Sequence, residues 1–166
     1  MAIRKNRMGG GAGGSGAGDA GVAGDNAKAA QNPYSAMHSG PGRVLTAVYG
    51  IFALSATARA GYQFYRDFEH APLAYSLSLF AAVVYVVATV CLVIGNKVTH
   101  HIAVAAVTVE LLGVLSVGLL TVLDPELFPA ATVWSTFGIG YGFVPLVLPF
   151  VGLFWLLRVG RRARAA

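Results

Sequence analysis

Four runs of apolar residues, at about 44–65, 72–94, 102–123 and 133–157, restrict this chain more than anything else in it. As helices rising about 1.5 Å per residue, each is long enough to cross a hydrocarbon core of about 30 Å. The connections "RDFEHA", "GNKVTHH" and "DPELFPAAT" are short, so consecutive helices have to be antiparallel neighbours. In lipid every backbone donor and acceptor must be satisfied inside the protein, which a helix does by itself. The expected fold is all-α: a membrane-spanning antiparallel four-helix bundle with a disordered N-terminal tail. Composition supports it, because 56% of the 166 residues are hydrophobic and 11% charged, against about 25% charged in a soluble domain.

The tail is residues 1–42, rich in Gly and Ala and almost free of large aliphatics, which buries too little apolar area to offset backbone ordering. Its basic start "MAIRKNR" is followed by Gly and Ala where a signal peptide needs an apolar stretch, so no cleaved signal is expected. The run "GGGAGGSGAG" follows no strand and ends in no Gly-Lys-Ser/Thr, which makes it a linker and not a phosphate loop. The four-helix transmembrane domain occupies 43–158, and 159–166 form a second basic tail.

The net charge of +5 and pI near 9.7 invite a nucleic-acid reading, but the cations flank the apolar runs. All lysines and arginines except Arg59 and Arg66 fall on one side of the expected bilayer, which places both termini in the cytoplasm. No nucleic-acid partner is expected. Trp134 and Trp155 bracket the fourth run, and as helix the stretch between them covers about 32 Å, suiting an aromatic at each interface. Cys91, the only cysteine, excludes an intramolecular disulfide and a thiolate zinc site.

Helices in lipid gain nothing from hydrophobicity on associating, so packing faces are marked by small residues and by polar groups that need partners. In the second run Tyr75, Ser78, Ala82, Tyr85 and Thr89 recur at steps of three and four. In the fourth, Gly138, Gly142, Pro145, Pro149 and Gly152 do the same; Gly138 and Gly142 read as a GxxxG packing pair, and the two prolines as kinks. The segment "STFGIGYG" resembles the "TVGYG" of potassium filters only superficially, since no re-entrant pore helix precedes it. An opening of the backbone at Pro145 that exposes carbonyls to a small ligand is a minor alternative.

Two charged groups need explaining. Glu110 shares a face with Ala103, Ala106, Gly113 and Val117, and Arg59 lies on a stripe with Ser55, Gln63 and Arg66. A charge at the centre of a spanning helix costs about 2.5 to 3.5 kcal/mol. Counting residues puts Glu110 about 12–14 Å and Arg59 about 22–24 Å from the cytoplasmic boundary. Tyr85 then sits near the level of Glu110, and donation from Tyr85 to Glu110 is the preferred contact. Tyr141 sits near the level of Arg59. Glu110 reads either as a proton or cation site or as a hydrogen-bonded acid fixing helix register; Arg59 reads as a side chain reaching the outer interface. The binding or packing candidates are therefore Glu110, Arg59, Tyr85, Tyr141, Gln63, Gly138, Gly142 and Pro145.

His100 and His101 point about 100° apart on a helix and make no ligand pair; both are expected at the cytoplasmic interface. His70 beside Glu69 is read as solvated. No metal, no cofactor and no catalytic residue is expected, because no nucleophile has a histidine at matching depth.

With "LTAVYGIFALSATARAGYQF", "APLAYSLSLFAAVVYVVATV" and "TVWSTFGIGYGFVPLVLPFVGLFWL" in view, the chain resembles the small four-span integral membrane proteins of actinobacteria known only as hypothetical proteins, over about residues 43–160. The resemblance implies a bacterial cytoplasmic (plasma) membrane and four spans, and brings no activity or catalytic residues. The leading expectation is a non-enzymatic accessory or scaffolding subunit, whose partners are the bilayer and other membrane protein subunits. The alternative is a small transporter or proton-linked carrier using Glu110 and Arg59 in a midplane cavity.

Overall fold

The protein is all-α, and four of its helices are long and apolar enough to cross a membrane. The structure, a computed structural model, describes residues 32–165, without the side chain of Asp67. Helix α1 is Gly40–Asp67, α2 is Pro72–Ile94, α3 is Lys97–Leu123 and α4 is Val144–Ala165. Successive helices pack side by side, and short 3-10 turns at Ser35–His38, Phe68–His70, Pro125–Leu127 and Ser135–Tyr141 complete the described chain.

The helix ends follow from local chemistry. Pro41 and Pro72 stand in the first turns of α1 and α2, where a missing N–H costs nothing. Helix α2 stops at Gly95, which takes the left-handed conformation at φ 61°. Helix α3 starts two residues later with a capping box. Thr99 N–H donates to Asn96 Oδ1 at 2.9 Å, and Asn96 N–H donates to Thr99 Oγ1 at 2.9 Å. The loop "GNKVTHH" thus shrinks to Gly95 and Asn96, and α3 begins at Lys97 instead of 102. At the interface polar side chains reach water, so a capped helix continues beyond its apolar part.

Small residues fill the core, as close approach in lipid requires. Ala53, Ala56 and Ala60 of α1, Ala81, Ala82 and Ala88 of α2, and Ala103 and Ala106 of α3 are all buried. Gly152 of α4 makes room for the tip of Tyr49 reaching across from α1, since a Cβ there would lie 3.2 Å from Tyr49 Oη and 3.6 Å from Val107 of α3.

Other boundaries depart from expectation too: α1 begins at Gly40 instead of 44, and α4 continues to Ala165, through the described part of the expected basic tail, instead of ending near 157. The disorder expected of 1–42 lies outside the described residues for 1–31. Beyond Pro33 the chain is ordered instead, with Tyr34 and Met37 buried against the bundle. The fourth helix starts at Val144, not near 133, because left-handed residues interrupt the run. Thr136, Phe137 and Gly138 have φ of 48°, 58° and 77°, and Gly142 and Phe143 have φ of 63° and 60°. Gly138 and Gly142 are therefore not a helical GxxxG pair. Gly138 sits against the Pro145 ring, and Gly142 faces open space. Pro145 occupies the first turn of α4 and initiates the helix; Pro149 lies inside it.

Candidate functional site

The polar centre of the bundle is built from α1, α2, α3 and the segment before α4. Glu110 is fully buried on α3, with Ala103, Val107, Val114 and Val117 buried on the same side. Its Oε2 accepts a hydrogen bond from Tyr49 Oη of α1 at 2.7 Å. The expected donor, Tyr85, has its hydroxyl beside the Glu110 carboxylate and the Trp134 indole and interacts with both, but the close hydrogen bond to the carboxylate is the one from Tyr49. Glu110 Oε1, Tyr85 Oη and Trp134 Nε1 are all buried without a hydrogen-bond partner.

Tyr49 is the residue the sequence reading missed. It lies on the stripe Leu45, Tyr49, Phe52, Ala56 and Ala60, which the structure buries. The polar stripe chosen for this helix, Ser55, Arg59, Gln63 and Arg66, is largely exposed instead, with Gln63 half-buried. Counting residues does not point to it, since Tyr49 lies nearer the start of α1 at Gly40 than Glu110 does to the start of α3 at Lys97, and the long tyrosine side chain makes up the difference.

Trp134 also departs from expectation. It does not stand at the interface but is folded inward over α3, where Gly113 makes room for it: a Cβ there would lie 2.6 Å from the indole Cζ3. Thr132 fixes the turn that aims it, its Oγ1 accepting from Trp134 N–H at 3.1 Å and Ser135 N–H at 3.0 Å. Thr121 Oγ1 of α3 then accepts Thr136 N–H at 2.7 Å, tying the left-handed segment down.

Arg59 belongs to a second cluster. Its Nη1 donates to Tyr141 Oη at 3.1 Å and its Nη2 to the Ala131 carbonyl at 3.1 Å. The aromatic rings of Tyr49, Tyr85, Phe52 and Tyr141 form a ladder between the two clusters, with successive centroids 6.2, 5.5 and 5.8 Å apart. Glu110 and Arg59 thus bond to different tyrosines. Gln63, one turn from Arg59, lines a polar crevice with Tyr62, Arg66 and Tyr75 and keeps its buried Oε1 unpartnered. The structure gathers Glu110, Tyr85 and Trp134 in one place and Arg59 and Tyr141 in another; Gly142 joins neither.

At the opposite end, three residues into α3, His100 is buried within the bundle. Its Nε2–H donates to the Leu156 carbonyl at 2.8 Å, its ring packs 5.0 Å from Tyr34, and Gly160 leaves space for it. His101 stays exposed and bonds the Lys97 carbonyl. Among the described residues no three His, Cys, Asp or Glu side chains come together as metal ligands. Compared with protein-family models, curated proteins and solved structures, the chain matches none.

Proposed function

We propose that this multi-pass membrane protein is a non-enzymatic accessory or scaffolding subunit of a larger membrane complex. The observation that carries the reading is the enclosure of Glu110, fully buried and bonded across helices to Tyr49. A carboxylate held this way fixes the register of α1 against α3, and a fixed register suits a scaffold better than a carrier that must open alternately to both sides. A lipid-facing groove of about 320 Å³ between α1 and α2 adds support. Gly50, Ala53 and Thr57 on one side and Val86, Thr89 and Val90 on the other leave room for a partner helix to approach.

The reading includes a bacterial cytoplasmic membrane with both termini inside, supported by the concentration of cations at one end of the bundle. Purification at native expression in mild detergent, followed by mass spectrometry, tests it. A second membrane subunit at fixed stoichiometry, recovered again when that subunit carries the tag, is the expected result; a monodisperse particle holding this chain alone overturns it.

A proton-linked carrier is the second reading, favoured by the unpartnered Glu110 Oε1, Tyr85 Oη and Trp134 Nε1. Proteoliposome flux that disappears in Glu110→Gln would establish it, and undiminished flux in that variant would take Glu110 out of the mechanism.

A further inference from the structure

We propose that the last turns of α4 hold one anionic phospholipid, with its phosphate between Arg158 and Arg162 and an acyl chain along Phe154 and Leu157. Two adjoining crevices mark the place. One, of about 380 Å³, is lined by Ser39, Pro41, Phe154, Trp155, Arg158 and Arg162, among others. The second, of about 250 Å³, is lined by Phe154, Leu157, Arg158 and Arg161. They share Phe154 and Arg158 and so adjoin on the two sides of these residues; taken as one trough, they are apolar at Phe154 and Leu157 and cationic at Arg158, Arg161 and Arg162.

Helical spacing aligns the two halves. Phe154, Arg158 and Arg162 are four residues apart on one face, as are Leu157 and Arg161. Each step of four rises about 6 Å, which matches the distance from the first acyl carbons to the headgroup phosphate. Phe154 and Leu157 are exposed at 67% and 41%, surface that only lipid or another apolar group would cover.

The charge needs a counterpart. Arg158 and Arg162 repel as like charges one turn apart. Among the described side chains no carboxylate lies at this end: Glu69, Asp124 and Glu126 belong to the other end and Glu110 to the core. A guanidinium pair suits a phosphate, whose oxygens accept two parallel N–H bonds from each fork. The Ser39 hydroxyl, which makes no capping bond to α1, supplies a further donor at the rim. Trp155 is held beside them over Gly42, where a Cβ would lie 2.7 Å from its Cη2. A soluble polyanion would satisfy the arginines and leave Phe154 and Leu157 uncovered. A phospholipid matches both halves of the trough.

The test is native mass spectrometry of the full chain in mild detergent, titrated with dioleoylphosphatidylglycerol or dioleoylphosphatidylcholine. One tightly held phosphatidylglycerol is expected, with phosphatidylcholine much weaker. Arg158→Gln/Arg162→Gln should weaken phosphatidylglycerol binding about thirtyfold, from the usual worth of two basic residues at an anionic surface. Lys97→Gln/Arg164→Gln removes the same charge from the same end outside the trough and should leave binding nearly unchanged. Equal weakening in both double variants, or no discrimination between the lipids, overturns the proposal. Displacement of the lipid by equimolar inorganic phosphate would also overturn it, revealing a site for soluble anions. Tryptophan quenching in the unmodified protein gives an independent reading. Brominated phosphatidylglycerol at a few per cent in phosphatidylcholine nanodiscs should quench Trp155, and brominated phosphatidylcholine at the same level should not; equal quenching counts against the site.

Discussion

Tyr49 and Glu110 show what one hydrogen bond does where no water competes for it. The 2.7 Å contact joins α1 to α3, and Tyr49→Phe would leave both carboxylate oxygens of Glu110 unpartnered. Hydrogen bonds between membrane helices are worth about 0.6 kcal/mol on average and about 1.7 at most. Since both residues are fully buried, a double-mutant cycle of Tyr49→Phe and Glu110→Ala, each of which removes the bond, should give a coupling near the upper value, read from unfolding in mixed micelles. A coupling near zero would mean that the acid is held by its packing alone. Glu110→Gln keeps an acceptor for Tyr49 and should assemble; Glu110→Lys puts a longer cation among Val107, Val114 and Trp134 and should abolish the monodisperse peak in size-exclusion chromatography. The burial of Glu110 was legible because only small neighbours share its face. The partner was not, since a tyrosine on an apolar stripe gives no sign of whether its hydroxyl or its ring is the reason for it.

At the scale of elements, the four helices were legible from run length, whereas the capped start of α3 at Lys97 and the start of α4 at Val144 were not. Hydropathy is blind to backbone handedness, so "VWSTFGIGYGF" reads as the start of a span although five of its residues have positive φ. What holds them there is tertiary: Thr121 Oγ1 accepting Thr136 N–H, and Gly118 admitting Phe137, whose backbone N a Cβ there would approach to 2.8 Å. Two glycine substitutions separate this geometry from a helical GxxxG. Gly142→Ala meets nothing within 4 Å, so it should cost only the left-handed backbone term of about 1–2 kcal/mol. Gly138→Ala incurs that term and also a Cβ 2.8 Å from the Pro145 ring, so it should be the more destabilising by thermal unfolding in detergent. A helical packing pair would give comparable losses at both positions. Equal melting temperatures for the two variants would contradict the observed turn.

For the whole molecule, the two ends of the bundle differ in charge. Arg43, Lys97, Arg158, Arg161, Arg162 and Arg164 lie at the end where His100 meets Leu156, and Glu69, Asp124 and Glu126 at the end where Arg59 meets Ala131. This asymmetry is a property of the sequence, and the fold places each of these described charges at the end that residue counting assigned to it. Insertion retains positive loops in the cytoplasm, so Lys97 should face inward and Glu126 outward. Cys91 is the only native thiol and is buried, so Cys91→Ala gives a silent background for single cysteines at Lys97 and Glu126. In intact cells a membrane-impermeant maleimide should label Glu126→Cys, and Lys97→Cys should react only after the membrane is opened. The reverse pattern would put the arginine trough of α4 on the outer leaflet. Labelling of both sites in intact cells would mean that the charge difference is too small to fix one orientation, as expected of a chain that inserts both ways.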